Sequence, residues 1–269
     1  MLTHFAELTH LAKLKAGKPG LARAVEAAEA YRNDPNCDNH DMMTRLVYAI
    51  AMGDPIPKHL RTNCKIIYLG LCYGMGGGKL ARDLGLSTKW IWSKRWKKQI
   101  EVAGPEAQAI LDKFNQKAPF IKQLAKECER VAKRRGYLVT LLGRRCRFPR
   151  DERGQVMWAH KGLNRIVQGS SGDQTKAAMV EADAAGFAIQ LQVHDEIDQT
   201  VGTMREAREL GVLMTECVPL RVPSKVDVEV GLSWGTAKEW KCDRLAEILL
   251  LGRRVNEPCI RSCYADATD

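Results

Sequence analysis

Two groups of residues in this 269-residue sequence have types and spacing suited to chemistry on phosphates. The first is Arg61, Lys65, Leu69 and Tyr73, which recur every four residues. On an α-helix each step turns about 400°, so the four share one slowly winding face. That face is cationic at its N-terminal end and apolar or aromatic further on. Lys65 to Tyr73 spans roughly 12 Å, close to the reach of a nucleoside triphosphate with phosphates at the cations and base near the ring. The helix N-terminus adds partial positive charge and free N–H groups. Arg61 and Lys65 repel mildly unless an anion lies between them. A half-buried helix whose lysine extends to water accounts for the same pattern without a ligand.

The second group is Gln192-Val193-His194-Asp195-Glu196, placed where a hairpin must reverse. Two adjacent carboxylates at a tight turn point different ways, so one serves as a metal ligand and the other as a supporting group. Magnesium takes hard oxygens, usually one or two carboxylates plus substrate phosphates. A two-metal phosphoryl-transfer site needs more than Asp195 alone. A solvated Asp-Glu turn is the alternative. Gly76-Gly77-Gly78-Lys79 is not a phosphate loop: Tyr73 and Leu80 stand where that motif needs Gly and Ser or Thr, and a helix precedes where a strand should.

The elements that must carry these groups follow from periodicity. Helices are predicted over 2–16, 21–31, a short stretch after His40, 60–74 and 158–185, and helix throughout 79–135 apart from a loop at Gly104-Pro105. Strands are predicted over 137–142 and 225–231, with a hairpin over 187–201. Helices interrupted by an antiparallel sheet make an α+β chain. Composition agrees with a globular protein: 45% hydrophobic, 28% charged and a net charge of +10, which favours a polyanionic partner such as nucleic acid. The longest uncharged stretch, Ile66 to Gly78, is 13 residues with five glycines, too short to span a bilayer. Nine cysteines without a CxxC pair argue for reduced thiols and against structural zinc.

Four segments in order resemble the polymerase domain of family A DNA polymerases, the bacterial polymerase I type, and within it the bacteriophage branch. Arg61-x-x-x-Lys65-x-x-x-Leu69-Gly70-x-x-Tyr73-Gly74 resembles the fingers helix that binds incoming dNTP. Gly136-Tyr137 with Thr140-Leu141-Leu142-Gly143-Arg144-Arg145 resembles the GY-x-x-TL-x-GRR element, and Asn164-x-x-x-Gln168-Gly169-Ser170-x-x-Asp173 the helix that touches the primer–template minor groove. Gln192 to Glu196 matches the palm motif, and Val230-Gly231-x-x-Trp234 resembles the C-terminal strand. The resemblance implies helical fingers plus part of an antiparallel-sheet palm of a right-hand polymerase. Palm-derived helices would occupy 1–36, fingers 37–135 and palm 136–240, with an extension of unknown role at 241–269.

It also implies roles. Lys65 and Asp195 are the catalytic residues, and Asp195 with Glu196 binds Mg²⁺. Arg61, Lys65, Leu69, Tyr73 and His40 contact dNTP. Arg144, Asn164, Gln168 and His194 contact primer–template DNA. Asn164 and Gln168 lie one turn apart, so both reach minor-groove acceptors that are similar in every base pair. The sequence departs from the family at Leu69, where many members carry Phe or Tyr, and at His160, where many carry Arg. It also lacks the strand motif DYS-x-x-E-x-R that holds the family's other catalytic carboxylate. The expectation is a C-terminal polymerase portion that needs an upstream polypeptide carrying that motif, in a bacterial or phage-infected cytoplasm and away from membranes. A non-catalytic nucleic-acid-binding remnant and a single-subunit RNA polymerase relative are the alternatives. Lys89 to Lys98 holds three of the six tryptophans and five cations. It reads as an outer fingers helix burying Trp92 and Trp96, with a clamp on single-stranded template as the other reading.

Overall fold

The computed structural model of the chain describes residues 1–34, 38–51, 53–94 and 97–239. They fall into two compact units, Met1–Ser170 and Ser171–Asp269. The predicted extension at 241–269 lies outside the described residues.

The first unit is mainly helical. It holds α1 (Leu2–Lys15), α2 (Ala24–Asn33), α3 (Asn39–Tyr48), α4 (Lys58–Cys72), α5 (Gly77–Asp83), α6 (Pro105–Lys117) and α7 (Pro119–Arg135). Local chemistry sets several ends. The Asp38 carboxylate accepts from the backbone N–H groups of His40 and Asp41, at 2.7 and 3.0 Å, and so caps α3. Proline opens α6 and α7, where its missing N–H costs nothing. Gly136, at φ 76°, closes α7. Along α7, Phe120, Ile121, Leu124, Cys128 and Ala132 form one buried stripe. Ile67, Leu80, Phe114, Ile121, Leu124 and Leu163 are the large side chains fully enclosed in this core. Burial pushes the Cys72 and Cys128 thiols up to about 12, so both are apolar filler rather than nucleophiles.

Two antiparallel hairpins interrupt the helices. Strands β1 (Thr88–Ser93) and β2 (Lys98–Ala103) pair from Thr88↔Ala103 to Ser93↔Lys98. The stretch 79–135 is therefore not helical throughout. Thr88, Trp90 and Trp92 alternate with Lys89, Ile91 and Ser93, a period of two in β-favouring residues. Trp92 is not packed on a helix face; Trp90 and Trp92 are 64% and 63% exposed, and Trp96 lies outside the described residues. The stem of this hairpin is seated tightly on α5, where a Cβ at Gly78 would lie 2.6 Å from the Glu101 carbonyl oxygen.

Strands β3 (Tyr137–Val139) and β4 (Arg145–Arg147) form the second hairpin. The predicted strand over 137–142 stops at Val139, because the Gly143 N–H donates to the Thr140 carbonyl and turns the chain. Helix α2 starts three residues later than expected and runs on to Asn33.

A 3-10 turn over Ala159–Lys161 leads into α8 (Gly162–Ala184), inside which the boundary between units falls. The second unit continues with β5 (Ile189–Val193), β6 (Glu196–Gln199), α9 (Met204–Glu216), β7 (Glu229–Val230) and β8 (Lys238–Glu239). Among the described residues only Glu229 and Val230 of the predicted strand over 225–231 find a partner, opposite Glu239 and Lys238. Among the described residues no helix is long and apolar enough to cross a membrane.

Candidate functional site

Helix α4 presents the cationic stripe. Arg61 stands in its second turn and donates to two carboxylates, Asp38 at 2.5 Å and Asp41. Both acids come from the start of α3, which packs against α4. Burial works to raise the Asp38 carboxyl, but the N–H groups of Asp41 and His40 and the Arg61 guanidinium outweigh it and hold the group below the usual carboxylate range. Sequence reasoning did not anticipate either partner; the one available signal was Asp38 in a helix-capping position. One helical turn on, the Lys65 ammonium is exposed and has no ion-pair partner among the described residues.

His40 belongs to the same cluster. Its ring stands edge-on to Tyr68 with centroids 5.5 Å apart, and its Nδ1 is buried without a hydrogen-bond partner among the described residues. Burial lowers its pKa; Asp38 pulls it up, while Arg61 and Lys65 push it further down. Burial and the two cations thus favour the neutral imidazole, and an anion entering the cluster would shift it toward the protonated form.

The C-terminal end of α4 meets α8. Leu69 is half-buried and Tyr73 is 41% exposed. The Gln168 amide donates to the Tyr73 hydroxyl at 3.2 Å. Gly74, at φ 70°, lies under the His160 carbonyl oxygen, which a Cβ there would approach to 3.1 Å. His160, noted only as a departure, therefore lies by its backbone at the end of the stripe.

The TL-x-GRR turn is fastened to the same helix. Arg144 donates to the Gly169 carbonyl at 2.8 Å, and the fully buried Ser170 hydroxyl accepts from the Leu141 N–H at 3.0 Å. Thr140 closes the turn by donating through its hydroxyl to the Arg144 carbonyl at 3.1 Å. Asn164 is half-buried on α8, one turn before the exposed Gln168. In this unit the structure brings together Arg61, Lys65 and His40 at one end of α4, and Tyr73, Gln168 and Arg144 around α8.

In the second unit, His194 and Asp195 form the two-residue loop between β5 and β6, with Val193 opposite Glu196. His194 has φ 55°, the sign that tight hairpin loops demand. Residues 191–196 are all exposed. Glu196 belongs to strand β6 rather than to the turn, so Asp195 alone of the two acids occupies the tip. The Glu196 carboxylate accepts from the Trp234 indole N–H at 3.0 Å. Two residues along the same face is Asp198, which the sequence reading passed over. Burial, then the charge and hydrogen bond of Glu196, push its carboxyl up.

Known proteins of one family match this chain. The profile of DNA polymerase family A matches residues 6–236. The chain is 48% identical over 258 residues to a DNA-directed DNA polymerase of Pseudomonas phage M6, covering 89% of this chain and 37% of that protein. It is 30% identical over 218 residues to DNA polymerase DpoZ of Acinetobacter phage SH-Ab 15497, covering 77% of this chain and 34% of that protein. In structure it resembles the polymerase domain of Pol1 from M. smegmatis, solved in complex with DNA primer–template and dNTP. That match has a TM-score of 0.62 at 26% identity and covers 77% of this chain and 35% of the other. The chain thus spans about a third of the length of these relatives. With the α+β architecture and the four ordered motifs, the match over most of its length establishes that the chain belongs to DNA polymerase family A.

Proposed function

We propose that these residues form the fingers (37–135) and most of the palm (1–36 and 136–240) of a template-directed DNA polymerase, acting on primer–template DNA and dNTPs. The observation that carries this reading is the Gln168–Tyr73 hydrogen bond, which joins the cationic stripe of α4 to the N-x-x-x-QG helix. The reaction joins the primer 3′-oxygen to the α-phosphorus of a dNTP and releases pyrophosphate. Arg61 exchanges Asp38 and Asp41 for the outer phosphates. Lys65 neutralises the charge that builds on the leaving pyrophosphate and donates a proton to it. His40 adds a phosphate contact. Leu69 lines the sugar position, and Tyr73 stacks near the templating pair. Asn164, Gln168 and Arg144 hold the duplex through contacts indifferent to sequence, and His194 positions the primer end.

Asp195 fits magnesium as a single hard-oxygen ligand on an exposed tip. Glu196 accepts from the Trp234 indole through one oxygen and keeps the other for an ion, while the carboxyl of Asp198 is pushed up. Among the described residues no group of three or more His, Cys, Asp or Glu side chains forms a cage. That suits an ion that takes one or two carboxylates and completes its shell with substrate phosphates. Magnesium, when bound, supplies charge neutralisation and a more acidic 3′-hydroxyl. A second carboxylate comes from a DYS-x-x-E-x-R strand outside these 269 residues, in the upstream polypeptide. The setting we propose is a bacterial or phage-infected bacterial cytoplasm.

The test is primer extension by the chain alone and mixed with a polypeptide carrying that motif. Extension is expected only from the mixture, and Lys65→Ala lowers its rate about 10²-fold. Robust extension by the chain alone removes the need for a partner. No extension from either sample leaves a nucleic-acid-binding remnant, and ribonucleotide incorporation favours an RNA polymerase.

A further inference from the structure

The β1–β2 hairpin has no part in the roles assigned above. Trp90 and Trp92 stand two residues apart on β1, so both indoles project from one face. Tryptophan usually covers most of its surface, yet these two are 64% and 63% exposed. Same-face positions on a strand lie about 6.8 Å apart, two stacking steps of about 3.4 Å. A base therefore fits against either ring or between them. On the hairpin Lys89, Lys94, Lys97 and Lys98 are exposed, and among the described residues none has an ion-pair partner; the register puts Gln99 and Glu101 across from the indoles and Lys89 and Lys98 on the other face of this narrow two-stranded arm. Lys94 and Lys97 flank the turn, and Lys98 opens β2 opposite Ser93.

Bare indoles on a narrow arm that also carries four exposed ammonium groups, two of them at its tip, suit a ligand that is both polyanionic and rich in planar rings. A protein-docking patch is usually poor in lysine. A duplex hides its ring faces, whereas a single strand exposes them. We propose that the β1–β2 hairpin is a binding site for single-stranded DNA, its bases stacked on Trp90 and Trp92 and its phosphates held by the lysines at the tip and along the edge of the arm. The proposal rests on the polymerase reading only in identifying that strand as the unpaired template.

The test titrates the 269-residue chain with oligo(dT), without dNTP or magnesium, over a series of salt concentrations. Indole fluorescence is expected to be quenched, with log K falling linearly against log salt. W90A/W92A is expected to weaken binding about tenfold or more and to remove most of the quench. K94Q/K97Q/K98Q is expected to flatten the salt slope by about 2 while keeping the quench at saturation. Far-UV circular dichroism checks that each variant folds. W90F/W92F, which keeps ring faces, is expected to bind within about threefold of wild type. Unchanged affinity in W90A/W92A overturns the proposal, as does an unchanged slope in the lysine variant or the absence of any binding. Failed primer extension with an intact hairpin effect counts against the polymerase reading alone. Robust extension without a hairpin effect counts against this proposal alone.

Discussion

Helix α4 and the β5–β6 hairpin hold their functional residues in opposite ways. Around α4 most positions lean on another element: Arg61 on Asp38 and Asp41, Tyr73 on Gln168, and the Arg144 turn on Gly169 and Ser170. At the hairpin, Asp195 tops two short strands whose register shifts between Ile189 and Leu191, and residues 191–196 are all exposed. A two-stranded hairpin is marginal by itself. The lesson is that the groups proposed to receive an anion are organised by packing before any ligand arrives. Asp195, the acid proposed to hold the metal, instead sits on a light support, steadied by the Trp234 indole on Glu196.

The largest test of that contrast is Asp195→Asn in the complemented enzyme. Primer extension should fall about 10³-fold or more with no change in melting temperature, because the side chain is exposed and unneeded for folding. A lowered melting temperature would make the tip structural and erase the contrast. Next in size is Ser170→Ala. It leaves the Leu141 N–H without its acceptor, which should cost about 1–3 kcal/mol in urea unfolding. An unchanged midpoint would mean that the TL-x-GRR turn is not fastened to α8.

Asp38→Ala is the smallest and acts in two directions. Loss of the cap on α3 should lower stability by about 1 kcal/mol. Release of Arg61 from one carboxylate should lower the dNTP KM about twofold to threefold, since exposed ion pairs are weak. The pH dependence has a definite sign. The Asp38 carboxyl is depressed in the folded state, so its contribution is complete above about pH 4 and is lost as pH falls through the folded value. Acid unfolding of the variant should lack that part of the curve.

Helices α1, α4 and α8 were legible, α6 and α7 were read as one stretch without the break at Ala118, and the hairpin over 187–201 stood out by alternation around His194-Asp195. The β1–β2 hairpin was missed because Ser93 to Lys98 contains no Gly, Asn or Asp to mark a reversal, and Trp92 and Trp96 sit at helical spacing. The alternation at 225–231 runs longer than the ladder among the described residues, where only two of its residues have a partner. Motif spacing nominated the candidate site residues one by one. Their partners were not: Asp41 and Asp38 are 20 and 23 positions from Arg61, and Gln168 is 95 from Tyr73, separations that no local pattern encodes.

Gly78 carries a last consequence. With no room for even a methyl group between α5 and the Glu101 backbone, the β1–β2 stem is cantilevered from a fixed root. Its angle is set some twenty positions before the strand that it braces. Lengthening the tip extends its reach without re-aiming it, whereas a single added carbon at the root prises the whole arm off its mount.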